Sequence, residues 1–294
     1  MELVVTLSNK DNLIALMEYG VDGIITGSLF SSRFNLSLKE MTDIILRANS
    51  LRMKAYVSID TFIFEDDIKD LYLYFEELSK LNVEGIYFSD LAVIDVAKSY
   101  GLESLLIYDG GPILTNSLDI ESYLDTGIDS VVLARELSMN ETLDIIKHHP
   151  HKVDMQIFGH LRLSTSKRKF LTNYFKQIGS NYEALNKTTL RIVEEKRDYK
   201  MPIMESEYGT SIYSDFILEA IEELPYLRKM IKRGIIDDLF VPFEMVIDII
   251  KAYRRCEEKN SFFIERSYVS KYKKYPLGKG YYYTKLNIVK DEQN

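Results

Sequence analysis

The chain has 294 residues, 46% of them hydrophobic and 12% aromatic, enough apolar material for a sizeable core and too much for intrinsic disorder. A single cysteine, Cys256, excludes an internal disulfide and any metal cluster held by cysteines of this chain alone. The net charge is −8; no stretch nears the roughly 18 apolar residues of a membrane span, and the start lacks a basic and apolar leader, so a reducing, cytoplasmic setting with no membrane partner is expected.

Short apolar runs bounded by turn residues recur along the chain. Leu3 to Thr6, Gly23 to Gly27, Ala55 to Ile59, Gly85 to Ser89, Leu105 to Tyr108, Ser130 to Ala134, Met155 to Phe158 and Leu239 to Phe243 read as strands. Helical patterns lie between them, as at Ile68, Leu71, Phe75 and Leu78, which place one apolar stripe against a sheet. Short strands covered on both faces by helices imply a parallel sheet. A weak repeat marks the helix-to-strand joints Gly20 to Ile25, Asn82 to Tyr87 and Gly127 to Val132, with Gly234 to Leu239 as a looser copy. This alternation predicts an α/β fold, a (β/α)8 TIM-like barrel, with an open doubly wound sheet as the alternative.

The regularity breaks after the seventh strand, where about eighty residues precede the eighth against the usual spacing of roughly twenty to thirty. A small inserted subdomain is expected there, with a polar helix near Ser164 to Gln177 and short strands at Thr189 to Glu195, Met201 to Glu205 and Tyr208 to Tyr213. The expected division is 1–163 for seven barrel strands, 164–215 for the insertion, 216–260 for barrel closure with a helix from Met245 to Glu257, and 261–294 for a basic C-terminal extension. From Arg266 to Lys290 seven basic residues, including Lys271, Lys273, Lys274, Lys285 and Lys290, meet no acid and interleave with six tyrosines, among them Tyr268 and Tyr282. Two readings fit: phosphate neutralisation with base stacking, or a solvated edge whose lysines resist aggregation.

The sequence contains no His-Glu-x-x-His, Gly-x-Ser-x-Gly, P-loop or Gly-x-Gly-x-x-Gly motif. His148, His149 and His151 end the sixth helix, where cations suit the dipole. His160 follows the seventh strand on the face where barrels build their sites. Ser58, Asp60, Ser89, Asp90, Asp109, Arg135 and Glu136 stand at the ends of other strands. Asp90 and Ser138 suit helix capping, whereas Arg135 suits either a substrate carboxylate or a neighbouring acid such as Glu136.

Val131 to Ser138 and the stretch from Asp154 to Tyr174 resemble the collagenase-like peptidase family U32, and Pro202 to Thr210, with Glu205, and Ala252-Tyr253-Arg254 extend the likeness. The resemblance implies a barrel with a small added domain. It also implies either peptidase activity or the oxygen-independent, prephenate-dependent hydroxylation found in other branches, one of which makes 5-hydroxyuridine at the tRNA wobble position. On the family signature Asp154 stands for a Glu, Gln156 for a Phe and Gly159 for a Gly, while Arg162 and Lys169 occupy two cysteine positions and Lys167 an inner Gly. Members with four such cysteines hold an iron–sulfur cluster, so the resemblance implies that this chain binds none. The family's Lys-Ile-Glu-Gly-Arg at the eighth strand is matched to Phe240 to Glu244. A cluster-less tRNA-hydroxylation subunit beside a longer, cysteine-bearing paralogue is the first expectation, catalytic or not. A peptidase and a small-carboxylate enzyme are the others. Substrate candidates are Arg135, Glu136, His160, Glu205 and Asp90, with prephenate as the co-substrate; RNA candidates are Arg162, Lys167, Arg168, Lys169 and the residues of the basic extension.

Overall fold

A computed structural model describes residues 1–193, 195, 200–259 and 267–284; Arg266, Lys285 and Lys290 of the basic extension lie outside these. In chain order the first elements are β1 (Glu2–Thr6), α1 (Leu13–Glu18), β2 (Gly23–Thr26), α2 (Leu38–Ser50), β3 (Lys54–Ile59), α3 (Ile68–Leu78), β4 (Gly85–Phe88) and α4 (Ala92–Ser99). They continue with β5 (Leu106–Tyr108), α5 (Ser117–Leu124), β6 (Ser130–Val132), α6 (Met139–His148), β7 (Val153–Ser166) and α7 (Phe170–Gln177). The insertion adds β8 (Arg191–Val193), β9 (Lys200–Ser206) and β10 (Gly209–Glu219), and the chain then forms α8 (Leu224–Leu227), β11 (Arg233–Ile236), α9 (Phe243–Lys259), α10 (Ser267–Lys271) and β12 (Leu277–Gly278). Strands β1 to β7 pair in sequence and in parallel, and β11 pairs with both β1 and β7, closing an eight-stranded (β/α)8 barrel. No helix of the described residues is long and apolar enough to cross a membrane.

Strand alternation divides the core in two. Leu3, Val5, Ile24, Ala55, Val57, Ile86 and Val131 face the helices, while Val4, Ile25, Tyr56, Tyr87, Ile107, Val132 and Ile235 fill the barrel interior. On α3, Leu71, Tyr74, Phe75 and Leu78 form the buried stripe. Helices α2 and α6 begin with capping boxes, Ser37 with Glu40 and Ser138 with Glu141, which satisfy amides that a helix start leaves unbonded.

The eighth strand is Arg233–Ile236 and not Leu239 to Phe243. The latter run is the more apolar, but Pro242 cannot donate within a central ladder, and Phe240 takes a left-handed φ of 65°. Leu239 and Phe240 instead turn the chain into α9, which begins at Phe243. The Gly234 to Leu239 segment therefore supplies the last part of the strand, through Ile236, and the turn after it, rather than a joint before one.

Strand β7 outruns the barrel. Up to Phe158 it pairs in parallel with β11, and beyond it runs antiparallel to β10, from Gly159 opposite Leu218 to Ser166 opposite Thr210. Gly159 makes the departure possible: its φ is 114°, and a Cβ there would lie 2.5 Å from the Asp237 carbonyl oxygen. Ser164 to Ser166 therefore extend this strand, and the expected polar helix shortens to Phe170–Gln177. The short strands expected nearby correspond to β8, β9 and the first half of β10.

Candidate functional site

The barrel interior is layered along its axis. At the N-terminal end Arg233, 2% exposed, donates to Asp154 Oδ2 at 2.9 Å, Asp129 Oδ2 at 2.7 Å, Ser130 Oγ at 2.9 Å and the Tyr56 hydroxyl at 3.1 Å. Asp154 is fully buried; desolvation outweighs the pull of Arg233 and pushes its carboxyl up to about 6. The Tyr87 hydroxyl donates to the same Oδ2 at 2.9 Å. Tyr87 belongs to the apolar layer above and also borders the cavity beyond it.

That cavity, about 610 Å³ of space out to its mouth, opens at the C-terminal end of the strands, where barrels carry their sites. Three arginines from distant segments converge there, each facing an aspartate. Arg135, after β6, forms a bidentate pair with Asp109, after β5, at 3.2 and 2.8 Å, and its Nε–H donates to Gln156 at 3.0 Å. Arg162, on the outrunning part of β7, pairs with Asp60 after β3. Arg33, in the β2–α2 loop, pairs with Asp237 and also donates to Asp238 and Thr6. Burial disfavours charge on Asp109, yet the adjacent Arg135 holds its carboxyl below the usual range. Burial likewise works against Arg33 and Arg162, and their carboxylate partners reverse it, so both remain charged. Tyr213 of β10 completes the wall, its hydroxyl pushed up to about 12 chiefly by burial.

His160 lines the same cavity. Its Nδ1 lies 2.7 Å from the Ser214 carbonyl; a carbonyl only accepts, so the proton is on Nδ1. Burial lowers the ring's pKa, and the neutral form leaves Nε2 as an acceptor.

Of the substrate candidates, the cavity brings together Arg135 and His160. Glu136 is exposed beside them. Asp90 accepts the Ile63 and Ala92 amides at 3.0 Å each, tying two loops together. Glu205, buried on β9, accepts from the Leu171 and Thr172 amides at 2.7 and 3.2 Å and so seats the start of α7. Among the RNA candidates, Arg162 is a cavity wall and not part of a surface patch. Lys167 pairs with Asp67 and lies 3.6 Å from the centre of the Phe64 ring. Arg168 and Lys169 are exposed. Lys271 pairs with Asp248 at 2.7 Å, and Tyr282 is buried against the barrel, while Lys273 and Lys274 are exposed. Sequence reading missed Arg33, Tyr213 and Asp237. Arg33 and Tyr213 come from a loop and an insertion without local motif, and Asp237 follows a strand assigned to the wrong segment.

An iron–sulfur cluster does not fit these residues. The two cysteine positions of the family signature hold an ion-paired Arg162 and an exposed Lys169, and Cys256 is buried on α9, outside the barrel. Among the described residues no three His, Cys, Asp or Glu side chains are grouped to hold a metal ion.

Comparison with known proteins agrees with the fold. Residues 8–286 match the sequence profile of peptidase family U32. The chain is 27% identical over 266 residues to tRNA hydroxylation protein P2 of Bacillus subtilis, covering 86% of this chain and 84% of that one. It is 23% identical over 291 residues to tRNA hydroxylation protein P1 of the same organism, covering 91% and 67%, which makes P1 the longer protein. A collagenase of Porphyromonas gingivalis is 20% identical over 252 residues, covering 80% and 59%. Among solved structures, the U32 peptidase Mk0906 superposes with a TM-score of 0.51 at 12% identity, covering 81% and 92%. The chain belongs to peptidase family U32.

Proposed function

We propose that this chain is a subunit for 5-hydroxylation of the tRNA wobble uridine, working beside a longer paralogue that carries the iron–sulfur cluster. The observation that carries the reading is the near-full-length similarity to a protein named for tRNA hydroxylation, joined to a cavity of chemistry suited to a small organic acid. Among the described residues Arg162 bonds only through Nη1, to Asp60 and Ser32, so its other N–H groups remain to meet ligand oxygens. Arg33 and Arg135 stand across the same space. A dicarboxylate such as prephenate meets two guanidinium groups there, and the Asp partners hold those groups oriented before it arrives. Mass spectrometry of nucleosides in bulk tRNA, with and without the gene, tests the reading. Loss of 5-hydroxyuridine derivatives supports it, and unchanged nucleosides in a strain with no redundant paralogue reject it.

A further inference from the structure

From Met155 to Tyr182 the chain has no acidic residue and five basic ones, within a protein of net charge −8. The fold turns most of this stretch into the end of β7 and into α7. Helix α7 buries no residue fully. Its inner stripe, Leu171 and Phe175, is half-buried, while Phe170, Tyr174 and the following Ile178 remain 47, 55 and 57% exposed along one edge. Arg168 and Lys169 precede these rings at the helix start; both cations are exposed and form no ion pair among the described residues. The Tyr174 ring is held rather than loose. Tyr174 meets Phe175 edge-on at 5.4 Å, and Phe175 packs on Tyr182 at 4.7 Å. The amides at the helix start are occupied by Glu205, so an anion arriving here meets side chains.

We propose that this face of α7 binds an unpaired segment of RNA, with Phe170 and Tyr174 as stacking platforms for bases and Arg168 and Lys169 as phosphate contacts. Exposed aromatics flanked by free cations are what single-stranded nucleic acid requires, and a protein partner has no need of an acid-free stretch. The location fits the cavity: β7 carries Arg162 in the cavity wall and reaches Ser166 four residues later, roughly 13 Å along a strand, so a loop stacked on α7 lies beside the mouth. Lys271 and Tyr282 of the basic extension take no part in this contact, since they are engaged with the barrel. The inference rests on the tRNA reading and is tested apart from it.

Fluorescence anisotropy with the full-length chain and a labelled 17-nucleotide RNA hairpin bearing a seven-nucleotide loop, at low and moderate salt, measures the contact. Phe170→Ala with Tyr174→Ala weakens binding by about 30-fold or more, Phe170→Trp with Tyr174→Trp retains it, and Arg168→Ala with Lys169→Ala reduces the salt slope by about 1.4. Lys273→Ala with Lys274→Ala leaves affinity unchanged. Hairpin binding that persists in the α7 variants, or that falls only in the Lys273/Lys274 variant, overturns the surface while the nucleoside result stands. No hairpin binding by the wild type at low salt overturns it too, and so does a wild-type dimer in light scattering that the α7 substitutions dissociate, because a second chain then covers the face.

Discussion

Arg233→Met is the most severe test of how the barrel supports its mouth. The substitution leaves Asp154 fully buried with only the Tyr87 hydroxyl on Oδ2 and with Oδ1 bonded to no side chain or backbone group. Asp129 keeps Lys232 at 2.5 Å, so the penalty falls on Asp154. Stranding a buried charge in this way costs about 3–5 kcal/mol, or a fall in melting temperature of roughly 6–20 °C for a domain of this size. Burial already pushes Asp154 up to about 6, and removal of the guanidinium raises it further. A carboxyl raised above its unfolded value contributes stability that is present at low pH and lost as pH rises through the folded pKa; the variant's deficit is therefore larger at pH 8 than at pH 5. Arg233→Met with Asp154→Leu removes both charges and recovers most of the loss. Urea denaturation of the four proteins at both pH values completes the cycle. A single-variant loss below about 1 kcal/mol, or a double variant no more stable than the single, refutes the reasoning.

On the proposed reading millimolar prephenate raises the melting temperature of the wild type and Arg135→Ala abolishes the rise; no shift in the wild type rejects the ligand, and a shift retained in the variant removes Arg135 from the site. Glu205→Ala frees the start of α7 and costs about 1–3 kcal/mol, seen as faster amide exchange at Leu171 and Thr172 before any change in the barrel strands. His160, whose pKa burial lowers, contributes stability present above about 6.5 and lost as pH falls; His160→Gln flattens that part of the denaturation profile between pH 7.5 and pH 5. Cys256→Ser leaves any peptide cleavage intact, because the thiol is buried on α9; loss of cleavage would restore a cysteine peptidase to consideration.

The barrel was legible because its signal is local and repeated. Gly23 to Thr26, Gly85 to Phe88 and Ser130 to Val132 are short apolar runs between turn residues, and no tertiary fact is needed to read them. The eighth strand failed the same rule. Arg233 opens it with a charge and Asp237 follows it, so the run looks like a joint; only the presence of Asp154 and Asp129 opposite explains a buried arginine there. The site was half legible. Arg135 and His160 follow recognisable strands, but Arg33 owes its place to pairing with Asp237, two hundred residues away in sequence. Charge counts along the basic extension likewise do not reveal that Asp248 and Glu223 pair with Lys271 and Lys279.

The position of Arg162 ties these observations together. On the resemblance to the family signature it stands at a cysteine position. Here the cation does not point to solvent, where it would merely add to a polyanion-binding surface. It turns into the cavity, is held by Asp60, and raises to three the arginines around one space. Each guanidinium has a carboxylate partner, so the site is close to neutral before ligand binds and the barrel carries no large unpaired charge. The same strand then continues to the free cations Arg168 and Lys169. One segment thus supplies a paired cation, Arg162, within the cavity and unpaired ones beyond it, the order in which a small acid inside and a polyanion outside would be met.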